Sequence, residues 1–197
     1  MTQTKRLVVV LGLNIAMVAG LVIVGLSSHS LGVLAAGSDY IADSTAIGLG
    51  LIAIYVRDRS KGRSKATTIV AAINATFLLV VTAIVSVEAL RRLLSHSPEI
   101  HGLSVLIVSA IATVVMVIGA LVLASDDQEN DLHMRSVILD TVSDSISAGA
   151  VAATGAIIFF AKGLYWLDSA VALVIGLVVA YQAIKLLRDV LINLKTK

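Results

Sequence analysis

The chain has 197 residues, of which 58% are hydrophobic and 14% charged, with a mean hydropathy of +0.98 and a formal net charge of +2. A soluble domain carries about 25% charged residues, so this composition excludes a protein that hides its apolar surface from water. The absence of cysteine excludes disulfides and thiolate metal sites, and no basic tract with interleaved aromatics points to nucleic acid.

In chain order, three runs without Asp, Glu, Lys or Arg cover 7–28, 66–87 and 102–125. Each is long enough to cross a ~30 Å hydrocarbon core as a helix. Shorter runs at 44–56, 145–161 and 169–184 reach that length with their upstream flanks. The fold class is therefore all-α, a polytopic membrane protein built as a six-transmembrane-helix bundle. The expected spans are 7–28, 31–56, 66–90, 102–125, 132–160 and 167–188 within a single transmembrane domain, 1–197, with no C-terminal cytoplasmic domain. The first span follows Lys5 and Arg6 but shows no small-residue cleavage site, so it reads as part of the bundle rather than a signal peptide. Continuous apolar runs do not fit the alternating strands of a barrel.

The connections differ in character: a tight turn at 27–32, a basic loop at 57–65, a segment at 95–101 with the sole proline, Pro98, an acidic loop at 125–131 and a short turn at 162–165. Twelve Lys and Arg residues fall on the side of the termini and three, Arg91, Arg92 and Lys162, on the other. The positive-inside rule then places both termini in the cytoplasm.

Two pairs of aspartates sit within the spans. A carboxylate at the bilayer centre costs at least ~2.5–3.5 kcal/mol and usually faces a cavity or a partner. Asp39 and Asp43 in SDYIAD are four residues apart, on one face of the second span. Asp140 and Asp144 in LDTVSD repeat the spacing in the fifth. Like charges so placed repel unless a metal ion or protons lie between them. The centre of the first pair is 11 residues from Ser30, and the centre of the second is 11 residues from Asp131, so both reach the midplane from opposite sides. Four carboxylates around one point carry −4 when empty. A divalent cation neutralises half of this and protons supply the rest, so metal and protons compete. Oxygen ligands suit Zn²⁺, Mn²⁺ or Fe²⁺ over Cu⁺.

Other polar residues have plainer readings. Ser38, Thr141 and Ser143 suit local backbone bonds, and Tyr40 an apolar interface. Asn14 and Asn74 suit interhelical hydrogen bonds or support to the aspartates. Glu88 is spaced to pair with Arg91 or Arg92. Gly48, Gly50, Gly149 and Gly176 suit close helix contacts. The acidic residues from Asp126 to Asp131, with His133, suit a solvated loop, and His29, His96 and His101 are spaced unlike a metal motif.

The segment LAAGSDYIAD (Leu34 to Asp43) resembles a pattern L-A-D-A-x-(H/D)-x-x-x-D, with Ala36 in place of the first aspartate, and DLHMRSVILDTVSD (Asp131 to Asp144) resembles N-x-x-x-R-x-x-x-x-(H/D)-x-x-x-D, with Asp131 in the asparagine place. KGRSKATTIVAAINA, YWLD and KLLRD fit the same pattern. The chain is thereby similar to the cation diffusion facilitators, divalent-metal/proton antiporters, over almost its whole length. The resemblance implies that Asp39, Asp43, Asp140 and Asp144 are the metal positions and that the metal is a transported substrate, with no cofactor and no enzymatic activity. It also implies a multi-pass protein of the bacterial inner membrane, in contact with lipid, with homodimerisation left open. Zinc-selective members commonly carry His at the first position of a pair, where this chain has Asp39 and Asp140. Family members also typically end in a cytoplasmic ferredoxin-like domain and carry a histidine-rich loop before the fifth span; SDDQENDLH holds one histidine, His133. The rival readings are a divalent cation channel, which needs a continuous polar path, and a non-transporting metal sensor or scaffold.

Overall fold

The computed structural model describes the backbone of residues 3–57, 64–124 and 132–195, and most side chains between 11 and 192. Six helices follow one another: α1 Gln3–Ser27, α2 Leu31–Arg57, α3 Ser64–Leu94, α4 Gly102–Ala124, α5 Leu132–Ala161 and α6 Trp166–Lys195. The basic and acidic loops lie largely outside the described residues. Among those residues, four apolar stretches are long enough to cross a membrane: Ala72–Leu94, Gly102–Gly119, Val142–Ala161 and Trp166–Arg188. The protein is thus an all-α, multi-pass membrane protein, and α1 and α2 add the shorter apolar stretches Leu11–Ser27 and Leu31–Ile41.

Three pairings organise the bundle. Helix α4 packs on α5, α3 on α6, and α1 on α2. The α4/α5 contact is closest because small residues face one another. A Cβ on Gly155 would sit 2.5 Å from the Leu106 amide and 3.0 Å from the Gly102 carbonyl oxygen. In hydrocarbon, such backbone approach replaces the hydrophobic drive that water would supply. Gly176 gives α3 the same access, with Ser86 Oγ 2.6 Å from where a Cβ would stand. Gly149 has only ordinary contact and Gly48, among the described residues, has nothing within 4 Å, which corrects the close helix contact expected there. The close contacts fall instead at Gly25, Gly32, Gly102 and Gly155. The surroundings of Gly50 lie outside the described residues.

Helix α1 ends in a left-handed cap. His29 has φ 57°, its amide reaches the Leu26 carbonyl at 3.4 Å, and the Ser30 amide reaches Gly25 at 3.0 Å. These are the paired bonds of a Schellman turn. The turn sends α2 back along α1, where Gly37 meets Leu21 and Gly25 meets Leu34. Apolar side chains of α3 such as Ile73, Phe77, Ile84 and Val87 remain on the exterior, a surface suited to lipid.

Candidate metal site in the helix bundle

Helices α2 and α5 are antiparallel. The four residues 162–165 separate α5 from α6, and the start of α6 lies against the start of α2 through Asp168 and Leu31. Gly32 then sets the register of α2 on α5, since a Cβ there would stand 3.4 Å from Val151 Cγ1. Seven residues onward in α2 lies Asp39, and seven residues back in α5 lies Asp144. Seven residues are about two helical turns, so the two aspartates occupy one level and the face that carries the Gly32–Val151 contact.

Both carboxylates are buried, Asp39 at 7% and Asp144 at 6% exposure. Each has interaction partners. Asp43 and Asp140 lie one further turn along α2 and α5; their side chains are outside the described residues. Among the described residues no three acidic or histidine side chains gather as a metal site, and two of the four candidate ligands fall outside that set.

The hydroxyls around the first pair bond to their own helix. Ser38 Oγ donates to Leu34 O at 2.9 Å, Ser44 Oγ to Tyr40 O at 2.8 Å and Thr45 Oγ1 to Ile41 O at 2.9 Å. Each hydroxyl hydrogen is used within α2, as expected for Ser38. Tyr40 is fully buried and donates its hydroxyl to Ala112 O on α4 at 2.7 Å. Asn14 is buried on α1 and Asn74 half-buried on α3. A groove of about 260 Å³ between α1 and α2, lined by Leu11, Ile15, Val18, Ile41, Ser44 and Thr45, runs beside the α2 segment that carries the pair.

The expected Glu88 pairing is present with both partners: Arg92 Nε lies 3.1 Å away and Arg91 Nη1 3.8 Å away. His29 and His96 are exposed, as is His101.

One functional candidate escaped the sequence reading. Asp168, in the first turn of α6, is 0% exposed and bonds to the start of α2. In the sequence it stands within YWLD, where no spacing to another acidic residue marks it. The available signal was an aspartate directly ahead of a charge-free run, which has to find a partner when buried.

Buried carboxylates on facing helices of a membrane bundle are the mark of membrane proteins with an ion or proton pathway. The chain belongs to the cation efflux family: residues 7–194 match the cation efflux transmembrane domain. It is 28% identical over 192 residues to a cadmium, cobalt and zinc/H(+)-K(+) antiporter of Bacillus velezensis, covering 91% of this chain and 60% of that protein. It is 30% identical over 162 residues to the metal cation efflux system protein CzcD of Cupriavidus metallidurans, covering 79% and 50%. Zinc transporter ZitB of Yersinia pestis matches at 25% over 195 residues, covering 95% and 62%. The chain therefore spans about half to three-fifths of the length of these relatives.

Proposed function

We propose that the protein is a secondary carrier, not an enzyme, that exports a divalent cation (Zn²⁺, Mn²⁺ or Fe²⁺) from the cytoplasm in exchange for protons. The observation that carries this reading is the burial of Asp39 and Asp144 at one level of antiparallel helices within a cation efflux domain. Asp43 and Asp140, one turn along the same helices, complete the ligand set. The relatives' names, which include zinc and proton antiporters, support the cargo class. The reading includes six crossings within a single transmembrane domain, both termini cytoplasmic on the excess of Lys and Arg, and a bacterial inner-membrane location.

The chemistry follows from charge. Four ionised carboxylates in a low-dielectric centre repel one another strongly, so the empty site holds protons. A divalent ion entering from the cytoplasmic side takes their place, and the bundle rocks to face outward. Protons from the far side then displace the ion and reset the carrier. Movement of α2 and α5 against the remaining helices opens one side at a time.

The test is ion flux in proteoliposomes with Zn²⁺, Mn²⁺, Fe²⁺ and Cd²⁺ under a pH gradient, with Asp39→Ala and Asp140→Ala beside the parent. Both variants are expected to lose flux, and parental flux in both overturns the ligand assignment. Flux that ignores the proton gradient selects the channel, and ion binding without flux selects the sensor. The natural absence of cysteine allows the topology test: a cysteine at exposed His96 is expected to react with an impermeant reagent from outside intact cells, and one appended to the C-terminus is not.

A further inference from the structure

We propose that Asp168 is a positioning residue for transport: from the first turn of α6 it fixes the level and rotation of α2, and through α2 the placing of Asp39. This inference rests on the transport-site reading above.

A helix begins with backbone N–H groups that have no partner within the helix. In α2 two side chains meet them. Ser30, the residue before the helix, accepts the Val33 amide on Oγ at 3.1 Å. Asp168 accepts the Leu31 amide at 2.7 Å and the Gly32 amide at 3.3 Å, and also the Ser30 hydroxyl at 2.5 Å. The acidic residue of the first turn of α6 is thus turned onto its neighbour's N-terminus rather than its own. The partial positive charge of that terminus and the three bonds offset the cost of burying a carboxylate.

Bonds to two consecutive amides hold more than proximity. A shift of α2 by one residue moves it about 1.5 Å and turns it about 100°, which takes each of the two amides from the carboxylate oxygen it now bonds. An α-helix transmits such a turn along its length, and Asp39 is seven residues beyond Gly32. Gly32 also has no room to yield, since a Cβ would stand 2.9 Å from Asp168 Oδ1 and 3.4 Å from Val151 Cγ1. The first turn of α2 is therefore wedged between α6, which caps it, and α5, which carries Asp144. A second tie acts on the same turn: Arg92 of α3, held by Glu88 at 3.1 Å, donates to the His29 carbonyl at 2.7 Å. The α3/α6 pair grips the α1–α2 junction from both of its helices.

A cap that only stabilises the bundle and a cap that places a ligand make different predictions. The experiment measures binding of Zn²⁺ and of Mn²⁺ by titration calorimetry on monodisperse purified protein. The ion concentration for half-maximal flux and the melting temperature are recorded separately. The variants are Ser30→Ala, Asp168→Asn and Asp168→Ala, with Asp39→Ala as the ligand control and Gly48→Ala as a bystander. Asp168→Ala is expected to weaken ion binding by about tenfold or more, a size typical of lost support behind a ligand. Ser30→Ala and Asp168→Asn, which keep part of the bonding, are expected to fall between it and the parent. Should Asp168→Ala fail to fold, these two decide. Parental affinity and parental half-maximal concentration in both, with only the melting temperature lowered, overturn the positioning role. A parent that binds neither ion, or an Asp39→Ala variant with parental affinity, overturns the site reading and this inference with it.

Discussion

Tyr40 donates its hydroxyl to the backbone carbonyl of Ala112 at 2.7 Å, joining α2 to α4 one residue along from Asp39. Neighbouring helical residues diverge by about 100°, so the two side chains serve different faces. Tyr40→Phe is expected to lower stability by about 0.5–1.5 kcal/mol, the net worth of one hydrogen bond. Ion affinity should stay within about threefold, since the hydroxyl serves α4 rather than the ion. Thermal unfolding and Zn²⁺ titration check both; a binding loss as large as that of Asp39→Asn would make the tyrosine a ligand.

His29 holds a left-handed conformation, φ 57°, at the end of α1. An L-residue with a side chain pays roughly 1–2 kcal/mol there and glycine does not. His29→Gly is expected to raise the melting temperature and leave ion flux unchanged. A fall in flux would give this histidine a part in the ion's route.

The α4/α5 seam predicts a contrast between two glycines. Gly155→Ala puts a Cβ 2.5 Å from the Leu106 amide and should sharply reduce the yield of monodisperse protein. Gly48→Ala meets nothing within 4 Å among the described residues and replaces glycine in a helix interior, so it should be neutral or stabilising by about 0.5–1 kcal/mol. Size-exclusion profiles and melting curves compare them, and equal behaviour would place the helices further apart.

Metal and proton share one set of carboxylates in the proposed carrier. Ion binding should therefore release protons and weaken as pH falls, because the protonated site has to be emptied first. Calorimetry in buffers of different ionisation enthalpy counts the protons. Release of none, with tight binding, removes the basis for exchange.

Much of this was legible in the sequence because the bilayer imposes simple rules. Charge-free runs mark helices, and Asp39, Asp43, Asp140 and Asp144 stand out against them as costly exceptions. The four-residue spacing is a property of the helix alone, so it needed no tertiary information. Glu88 with Arg91 and Arg92 was equally local. The glycines were less legible. Gly48 and Gly155 both sit in apolar helices, and only the neighbouring backbone makes one open and the other closely packed.

By itself the sequence determined that the chain crosses the membrane as helices and that two of them carry paired carboxylates; hydrocarbon tolerates neither free backbone nor idle charge. The tertiary structure decided which faces meet. Gly32 against Val151 brings Asp39 level with Asp144, and Asp168 reaches across 137 positions of sequence to cap α2 at Leu31. Nothing in local spacing encodes these contacts, because the register between two packed helices is set by close fit and by the need of each buried polar group for a partner.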